Sequence, residues 1–207
     1  MMGLFNHSRL SILIWVMLMS VLSLSFDMPN DVSLEYIITR KGEDIGKLHF
    51  SKKVFGNRVY LKMKSDVQFR ILARITAHAK EEAEFQNNIL LSSSVYREIN
   101  GFEKSNKQTR ILGSDYTLHD DGEKKLLKSY PIQYNMLCIY LNEPLQQRRI
   151  YSDNYQRFLP IQYIEPHHYR IELPNGDVND YYYKNGVCIL VDVKSTLYHS
   201  SIRLKSA

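Results

Sequence analysis

Apolar and polar residues alternate with a period of two along most of the chain after residue 31. The first such run is Val32–Ile38, and a turn at Lys41–Asp44 leads into a returning run at Ile45–Phe55. One apolar phase then continues from Val59 to Ala77, with Ser65 as its one polar member. This period is typical of strands that bury one face. The pattern therefore predicts an all-β protein.

The phase from Val59 to Ala77 is too long for one ordinary strand, since strands usually contain about 3–10 residues. We expect two strands that share this phase, with a bend near Lys64–Asp66. A helix over Arg70–Ala83 is a competing interpretation, because the apolar residues there also recur at helical spacing. The spacing alone leaves both interpretations open.

Turn signals divide the remainder of the chain into further short strands. Asn87-Asn88 and Asn100-Gly101 bracket a strand at Ile89–Ile99, and Asp120–Gly122 and Asn185-Gly186 are typical hairpin turns. Short hairpin loops join antiparallel strands, whereas parallel strands need long crossovers. We therefore predict one large curved antiparallel sheet, in the form of a half-barrel or a barrel.

One segment has a different pattern of apolar residues. Apolar residues between 132 and 142 recur at the spacing of one helical face, with Pro131 before them and Pro144 after them. This pattern predicts one short α-helix at about residues 132–142.

The N-terminus resembles an export signal. His7 and Arg9 precede an apolar run at Leu10–Leu24, and Ser23–Ser25 offers small residues to a signal peptidase. We expect residues 1–25 to form a signal helix that is cleaved, and residues 26–207 to form a single β domain that is periplasmic or secreted. An uncleaved membrane anchor is the alternative, although a spanning helix needs about 20 apolar residues.

Composition excludes some classes of function. Arg9 is the one charged side chain in the signal, so cleavage lowers the net charge from +5 to +4. The basic residues are spread out, with a dense group at Lys124–Lys128, and this argues against a nucleic-acid partner. All 15 tyrosines remain after cleavage, which suits strands and also suits a wall against an apolar ligand or a sugar. Cys138 and Cys188 either pair in an oxidising compartment or stay as buried thiols.

Few residues point to chemistry. His167-His168 is the pair most like metal ligands, but adjacent strand residues face opposite ways, and we expect solvated or edge histidines. The acid pairs Glu81-Glu82 and Asp120-Asp121 are expected in turns. Ser92–Ser94 lies in a predicted strand and Ser152-Asp153 in a loop, and neither has the elbow motif of a serine nucleophile. We predict no catalytic, metal or cofactor site, and a protein that is not an enzyme, although distant residues can assemble a site that no motif reveals.

The order of the turn motifs is similar to that of a known family. In this chain the matching motifs are Leu34–Tyr36, the Lys41–Gly46 turn, Phe85–Asn88, Asn142–Pro144 and Asn185-Gly186 with the Val-rich strand that follows it. The chain resembles exported all-β domains of unknown function from Gram-negative bacteria, notably the Bacteroidetes group, over most of residues 32–204. The resemblance implies a curved antiparallel sheet with the helix against its concave side. It implies no catalytic residues, and this chain has Asn88 where a turn glycine is expected.

The sequence is compatible with three functions. The first is an envelope protein that is not an enzyme and holds a lipid or another apolar ligand in its curved sheet, which can enclose a cavity. The second is a structural or assembly module that contacts other envelope proteins through a strand edge or an apolar patch. The third is a secreted hydrolase on a β scaffold.

Overall fold

The computed structural model describes residues 31–205 except 71–73, 121, 129 and 196–197. Fifteen strands occupy the described residues: β1 Val32–Arg40, β2 Glu43–Phe55, β3 Arg58–Arg70, β4 Arg74–Gln86, β5 Ile89–Ile99, β6 Phe102–Leu112, β7 Asp115–Asp120, β8 Glu123–Leu127, β9 Arg149–Ser152, β10 Arg157–Pro160, β11 Gln162–Glu165, β12 His168–Glu172, β13 Val178–Lys184, β14 Val187–Lys194 and β15 His199–Leu204. The predicted signal at residues 1–25 lies outside the described residues. No helix in the described part of the chain is long and apolar enough to cross a membrane.

Thirteen strands form one antiparallel sheet in the order β11-β12-β13-β14-β15-β1-β2-β3-β4-β5-β6-β7-β8. Strands β9 and β10 form a separate hairpin. The prediction of an all-β fold with one large antiparallel sheet is confirmed. The sheet is open rather than closed into a barrel, because β8 and β11 lie at its two ends.

The long apolar phase corresponds to β3 and β4, but the predicted bend is misplaced. Strand β3 pairs with both neighbours without interruption through Lys64–Asp66. The competing helix at Arg70–Ala83 is also wrong, since β4 occupies Arg74–Gln86. The two strands share a phase because they are paired across a hairpin, in which Phe69 lies opposite Ile75. Residues 71–73 lie outside the described residues.

The hairpin turns at Asn-Asn and Asn-Gly are where they were predicted. Asn185 and Gly186 have φ values of 52° and 78°, as a type I′ turn requires at both central residues. Asn87 and Asn88 take φ values of 50° and 62°. Asparagine tolerates the left-handed region better than most residues, so Asn88 makes the turn without glycine.

Residues 131–160, which we call the inner segment, lie against the face of the sheet that carries the buried core. Tyr140 stacks on Phe50 of β2 at 5.6 Å between ring centroids. The hydroxyl of Tyr183 in β13 donates to the Ile139 carbonyl at 2.9 Å, and Thr109 of β6 is hydrogen-bonded to the inner segment at 2.9 Å. One segment contacts strands from both halves of the sheet, so the sheet curves around it.

The helix predicted at residues 132–142 is absent, and a 3₁₀ turn at Cys138–Tyr140 replaces it. The backbone of Ile132 bonds to Leu90 in β5 instead of to its own segment. Asn135 Oδ1 accepts from the backbone N–H groups of Leu137 and Cys138. Tertiary and side-chain partners therefore take the hydrogen bonds that a helix would have used. The apolar side chains point into the core on several sides rather than along one helical face.

Both cysteines are free and buried in this structure, so the alternative of a bridge is not realised. The Cys138 thiol donates to Asn135 Oδ1 at 3.2 Å, and the Cys188 thiol donates to the Leu190 carbonyl. Burial raises the pKa of each thiol to about 12. Thiols of this kind react slowly, because the thiolate is the reactive form.

Gly46 permits a close approach between β2 and β3. A Cβ at this position would lie 2.2 Å from the Asp66 carbonyl oxygen and 2.8 Å from Val67 Cα. The partner strand β1 carries an irregularity between Ile38, which lies opposite Gly46, and Thr39. The absence of a side chain lets the sheet curve tightly here.

Candidate functional site

An ion pair lies on the inner face of the sheet, which we define as the face that buries Tyr36, Phe50 and Val95. Arg97 Nη2 donates to Glu81 Oε1 at 2.7 Å. The Glu81 side chain is 5 % exposed, whereas 44 % of the Arg97 side chain is accessible to water. The Arg97 side chain therefore extends from a buried carboxylate to the solvent.

The donors of Arg97 are not all used. Its Nε lies buried without a hydrogen-bond partner. Burial lowers the pKa of Arg97, but the charge and hydrogen bond of Glu81 outweigh burial and raise it. The side chain is therefore a permanent cation with one arm neutralised and one donor free.

Tyrosines from three parts of the chain lie within electrostatic reach of Arg97. Burial raises the pKa of Tyr155, Tyr181 and Tyr198, and the charge of Arg97 opposes that rise in each. Beside them, Asn179 donates to the Tyr181 hydroxyl, while its own Oδ1 is buried without a partner. Asn179 Oδ1 is therefore an unused hydrogen-bond acceptor beside Tyr181.

Small side chains lie near Arg97 on the inner face of the neighbouring strands. Ala79 lies opposite Arg97 on β4, and Ser65 lies opposite Ala79 on β3. In the next row toward the β3–β4 hairpin, Gly46 pairs with Val67, which pairs in turn with Ala77. The inner-face positions around Arg97 on the neighbouring strands therefore carry mostly small side chains, with Val67 as the larger one.

Next to these small residues lies the inner apolar strip, which we define as Val67, Phe69, Ile75, Ala77 and Ile99. Cross-strand pairing places these residues on one face of β3, β4 and β5. Ile99 is 40 % exposed, and in the described structure Phe69, Ile75 and Ile99 do not pack against the core cluster. The guanidinium of Arg40 lies 4.9 Å from the Phe69 ring centroid and borders the strip. The strip is an apolar surface that the inner segment does not cover.

The inner segment itself contains a buried carboxyl. Asp153 is 3 % exposed, and Asn135 Nδ2 donates to its Oδ2 at 3.0 Å. The pKa of Asp153 is raised to about 7: burial is the largest cause, the Glu81 charge adds to it, and hydrogen bonds from the Ser93 hydroxyl and Asn135 oppose it. Asp153 Oδ1 and Ser93 Oγ still lack hydrogen bonds of good geometry. The Asp153 carboxyl is therefore partly protonated near pH 7.

The structure separates the two histidines that looked most like ligands. His167 is exposed in a turn, with Nδ1 3.1 Å from Glu143. His168 is buried instead of solvated as predicted, because its Nε2 lies 3.1 Å from Asp180 and its ring stacks on Tyr182. Within the described residues no cluster of three or more His, Cys, Asp or Glu side chains could hold a metal ion.

Asp180 is the centre of a second ion cluster. It has no solvent exposure and accepts hydrogen bonds from Arg170, Lys194 and His168. Burial raises the pKa of Asp180, but these three donors outweigh it and hold the pKa well below its usual value. Its donors all come from neighbouring strands, so the cluster joins β12, β13 and β14.

The acid pair Glu81-Glu82 was predicted in a turn and lies in the middle of β4 instead. Adjacent strand residues face opposite ways, so Glu81 meets Arg97 inside and Glu82 meets Lys62 and Lys80 outside. Glu82 lines a polar groove of about 580 Å³ on the outer face. Ion pairs already neutralise its charge there. Asp120, the other predicted acid, pairs with Lys107, and Asp121 lies outside the described residues.

The site residues that sequence reasoning missed had a detectable signal. Glu81 follows Ala79 and precedes Ala83 and Phe85 in one apolar phase of β4, and Arg97 occupies the phase of Val95 in β5. A charged residue on the buried face of a strand requires a partner. Two opposite charges in the buried phases of neighbouring strands could have been paired on that ground.

Comparison with known proteins assigns the chain to a family. The profile of the family described as Domain of unknown function (DUF6134) matches residues 36–205. The chain belongs to this family. The resemblance to a domain of unknown function is thereby confirmed, while the bacterial group and export stay predictions. No curated protein matches the chain.

A solved structure supports the fold of this family member. This chain is similar to the crystal structure of a β-barrel-like protein of domain of unknown function DUF1849 from Brucella abortus, with a TM-score of 0.52 and 7 % sequence identity. The match covers 84 % of this chain and 95 % of the other. At this identity the likeness shows a shared fold and carries no activity.

Proposed function

We propose that this protein is not an enzyme and that it binds an apolar ligand, such as the acyl chain of a lipid, along the inner apolar strip. The observation that carries the proposal is that Phe69, Ile75 and Ile99 lie on the inner face without core partners. Burial of apolar surface contributes about 25 cal/mol for each Å² removed from water. An acyl chain laid on these side chains gains that contribution, and the small side chains of Ala77 and Ala79 beside them do not obstruct it.

The inner segment limits how much ligand the sheet can hold. Residues such as Tyr140 and Ile139 already fill the central part of the curved sheet. The ligand therefore occupies the end of the sheet near the β3–β4 hairpin rather than a cavity that runs through it. A single acyl chain suits the five residues of the inner apolar strip better than a lipid with several chains does.

Binding of the neutral fluorophore N-phenyl-1-naphthylamine to the purified protein tests the proposal. We expect a saturable rise in fluorescence that monodecanoylglycerol reverses. Ile75→Asn should weaken probe binding by about tenfold, because it puts an amide into the apolar strip. Thr76→Asn makes a similar change on the outer face of the same strand and should leave binding unchanged. Absence of saturable binding, or equal loss in both variants, would refute the proposal.

The hydrolase alternative has less support. Ser93 beside Asp153 is the arrangement in the described structure that most resembles a nucleophile with a base. Their exposures are 6 % and 3 %, so the inner segment shields both from a substrate. For the assembly alternative, the edge formed by β8 is unfavourable, because Lys124 and Lys125 lie on it and charges there oppose strand addition.

We also propose that the protein acts after export, on the evidence of the apolar run at Leu10–Leu24. Expression in an exporting host should yield a mature chain that begins near Phe26, as intact-mass measurement would show. Leu18→Arg interrupts the apolar run and should abolish both processing and export. A wild-type chain that keeps its leader in the cytoplasm would refute this proposal.

A further inference from the structure

We propose that the polar groove on the outer face of the sheet binds a short acidic oligosaccharide, in which the sugar rings carry carboxylate groups. The groove has a volume of about 580 Å³, and ligand sites commonly have volumes of about 300–1,000 Å³. It lies on the face opposite the inner apolar strip. This inference therefore goes beyond the proposed function and does not rest on it.

A row of cross-strand partners runs through the groove from β2 to β6. Each residue of the row lies opposite the next on the adjacent strand, in the order Lys53, Tyr60, Glu84, Ser92 and Arg110. Neighbouring strands are about 4.8 Å apart, so about 19 Å separates the two ends of this row. A ligand that contacts both ends is therefore an extended chain rather than a single small molecule.

Small side chains on β5 give the groove its depth. Ser92 and Ser94 line it between longer side chains on β4 and β6. Both serines are half-buried, whereas Gln108 and Arg110 on β6 are exposed. A serine hydroxyl and a glutamine amide each donate and accept hydrogen bonds. The groove therefore presents groups that match the hydroxyls of a sugar, which also do both.

The two carboxylates of the groove are already neutralised. Glu82 lies 2.7 Å from both Lys62 and Lys80, and Glu84 lies 2.7 Å from Arg58. These carboxylates can still accept hydrogen bonds from ligand hydroxyls. They add little net negative charge to the groove.

Lys53 and Arg110 give the groove an excess of positive charge. Both are exposed, and the side chains of both are without an ion pair or hydrogen bond among the described residues. Each lies two strands from Glu84, which is about 10 Å and exceeds the Debye length of about 8 Å at physiological salt. Ligand carboxylates can therefore pair with these two cations without strong repulsion from Glu84.

Aromatic rings at the β2–β3 end of the groove favour a sugar over other anions. Tyr60 lines the groove, and its ring centroid lies 5.9 Å from that of Phe55. Phe55 is 63 % exposed. A pyranose ring has a face of C–H groups that packs on an aromatic ring, and these rings offer such a surface. A single-stranded nucleic acid suits the groove less well, because its phosphates would pass Glu82 and Glu84 between the two cations.

Isothermal titration calorimetry with the trimers of galacturonate, mannuronate and guluronate tests the proposal near pH 7, where their carboxylates are ionised. We expect at least one trimer to bind with a Kd below about 1 mM. Its methyl ester has the same hydroxyls without the charge and should bind about tenfold more weakly. Absence of binding by all three trimers, or equal binding of trimer and ester, would overturn the proposal. Tighter binding of oligothymidylate than of every trimer would overturn it in favour of a nucleic acid.

Substitutions in the groove locate the bound trimer. Ser94→Tyr fills the groove and should weaken binding at least about tenfold, whereas Ser201→Tyr makes the same change on the outer face of β15 and should leave binding intact. Arg110→Gln should weaken the trimer by about threefold to fivefold and leave its ester unchanged. Arg203→Gln on β15 removes the same net charge and should change neither ligand. If Ser94→Tyr folds, as circular dichroism would show, and binds as the wild type does, the assignment to this groove is wrong. Equal losses in Arg110→Gln and Arg203→Gln would also contradict it.

Discussion

Replacement of Asp153 by asparagine should make the protein more stable at neutral and alkaline pH. Asp153 of the inner segment is 3 % exposed, and its pKa is raised from 3.8 to about 7, chiefly by burial. Because the native state holds this proton more tightly than the unfolded chain, stability falls as the pH rises from about 4 to about 7. Asparagine keeps the shape and carries no charge, so it removes this dependence.

The size of the effect follows from the shift in pKa. Each pKa unit corresponds to about 1.4 kcal/mol, so the ionised Asp153 costs up to about 4 kcal/mol above pH 7 relative to its protonated form. Near pH 5 much of that cost is absent. The advantage of Asp153→Asn over the wild type should therefore grow by about 2–3 kcal/mol between pH 5 and pH 8. An added gain is structural, since the new amide can donate to the unpaired Ser93 Oγ.

Urea unfolding followed by circular dichroism at both pH values measures the difference. Asp66→Asn is the control, because it makes the same change on a carboxylate that is 75 % exposed. Its effect should stay within about 0.5 kcal/mol at each pH. An Asp153→Asn advantage that does not change with pH, or a variant less stable than the wild type at pH 8, would refute the reasoning.

Three further predictions concern the scaffold, and all are measured as changes in the free energy of unfolding. Gly46→Ala should cost about 2–3 kcal/mol, because its Cβ would meet the Asp66 carbonyl at 2.2 Å; a change under about 0.5 kcal/mol would show that the strands separate freely. Tyr116→Phe should cost about 1–3 kcal/mol, because it leaves the buried Ile132 N–H without its acceptor, whereas a neutral result would mean that another group replaces the hydroxyl. Asp180→Asn should cost about 2–4 kcal/mol near pH 7, because three donors converge on that carboxylate. Since the pKa of Asp180 is lowered, that cost should shrink on acidification below about pH 4, and a cost independent of pH would contradict its assignment to the ionised form.

Sequence alone was sufficient for the strands and their turns. The alternation at Val32–Ile38 and the turns at Asn100-Gly101 and Asn185-Gly186 depend on local backbone preferences. The period of two and the left-handed tendency of Asn and Gly act within a few residues. An antiparallel sheet joined by short hairpins could therefore be predicted without any knowledge of long-range contacts.

Tertiary structure decided the inner segment. The spacing of apolar residues at 132–142 matched a helix, yet Ile132 bonds to Leu90 and the side chain of Asn135 occupies N–H groups that a helix would use. Local pattern cannot anticipate partners that lie more than 40 residues away. Packing on several sides at once also removes the one-sided pattern that a surface helix needs.

The candidate site likewise depends on the curved sheet. The sequence placed Glu81 and Arg97 on strands and the small residues Ala77 and Ala79 in an apolar phase, but it assigned none of them to a site. Their meeting depends on the register of β4 against β5, which places Arg97 opposite Ala79 and Val95 opposite Glu81. Alternation specifies which face a side chain takes, because it is a local property. Only the tertiary fold decides which of those side chains come into contact, since register and curvature arise from contacts between strands.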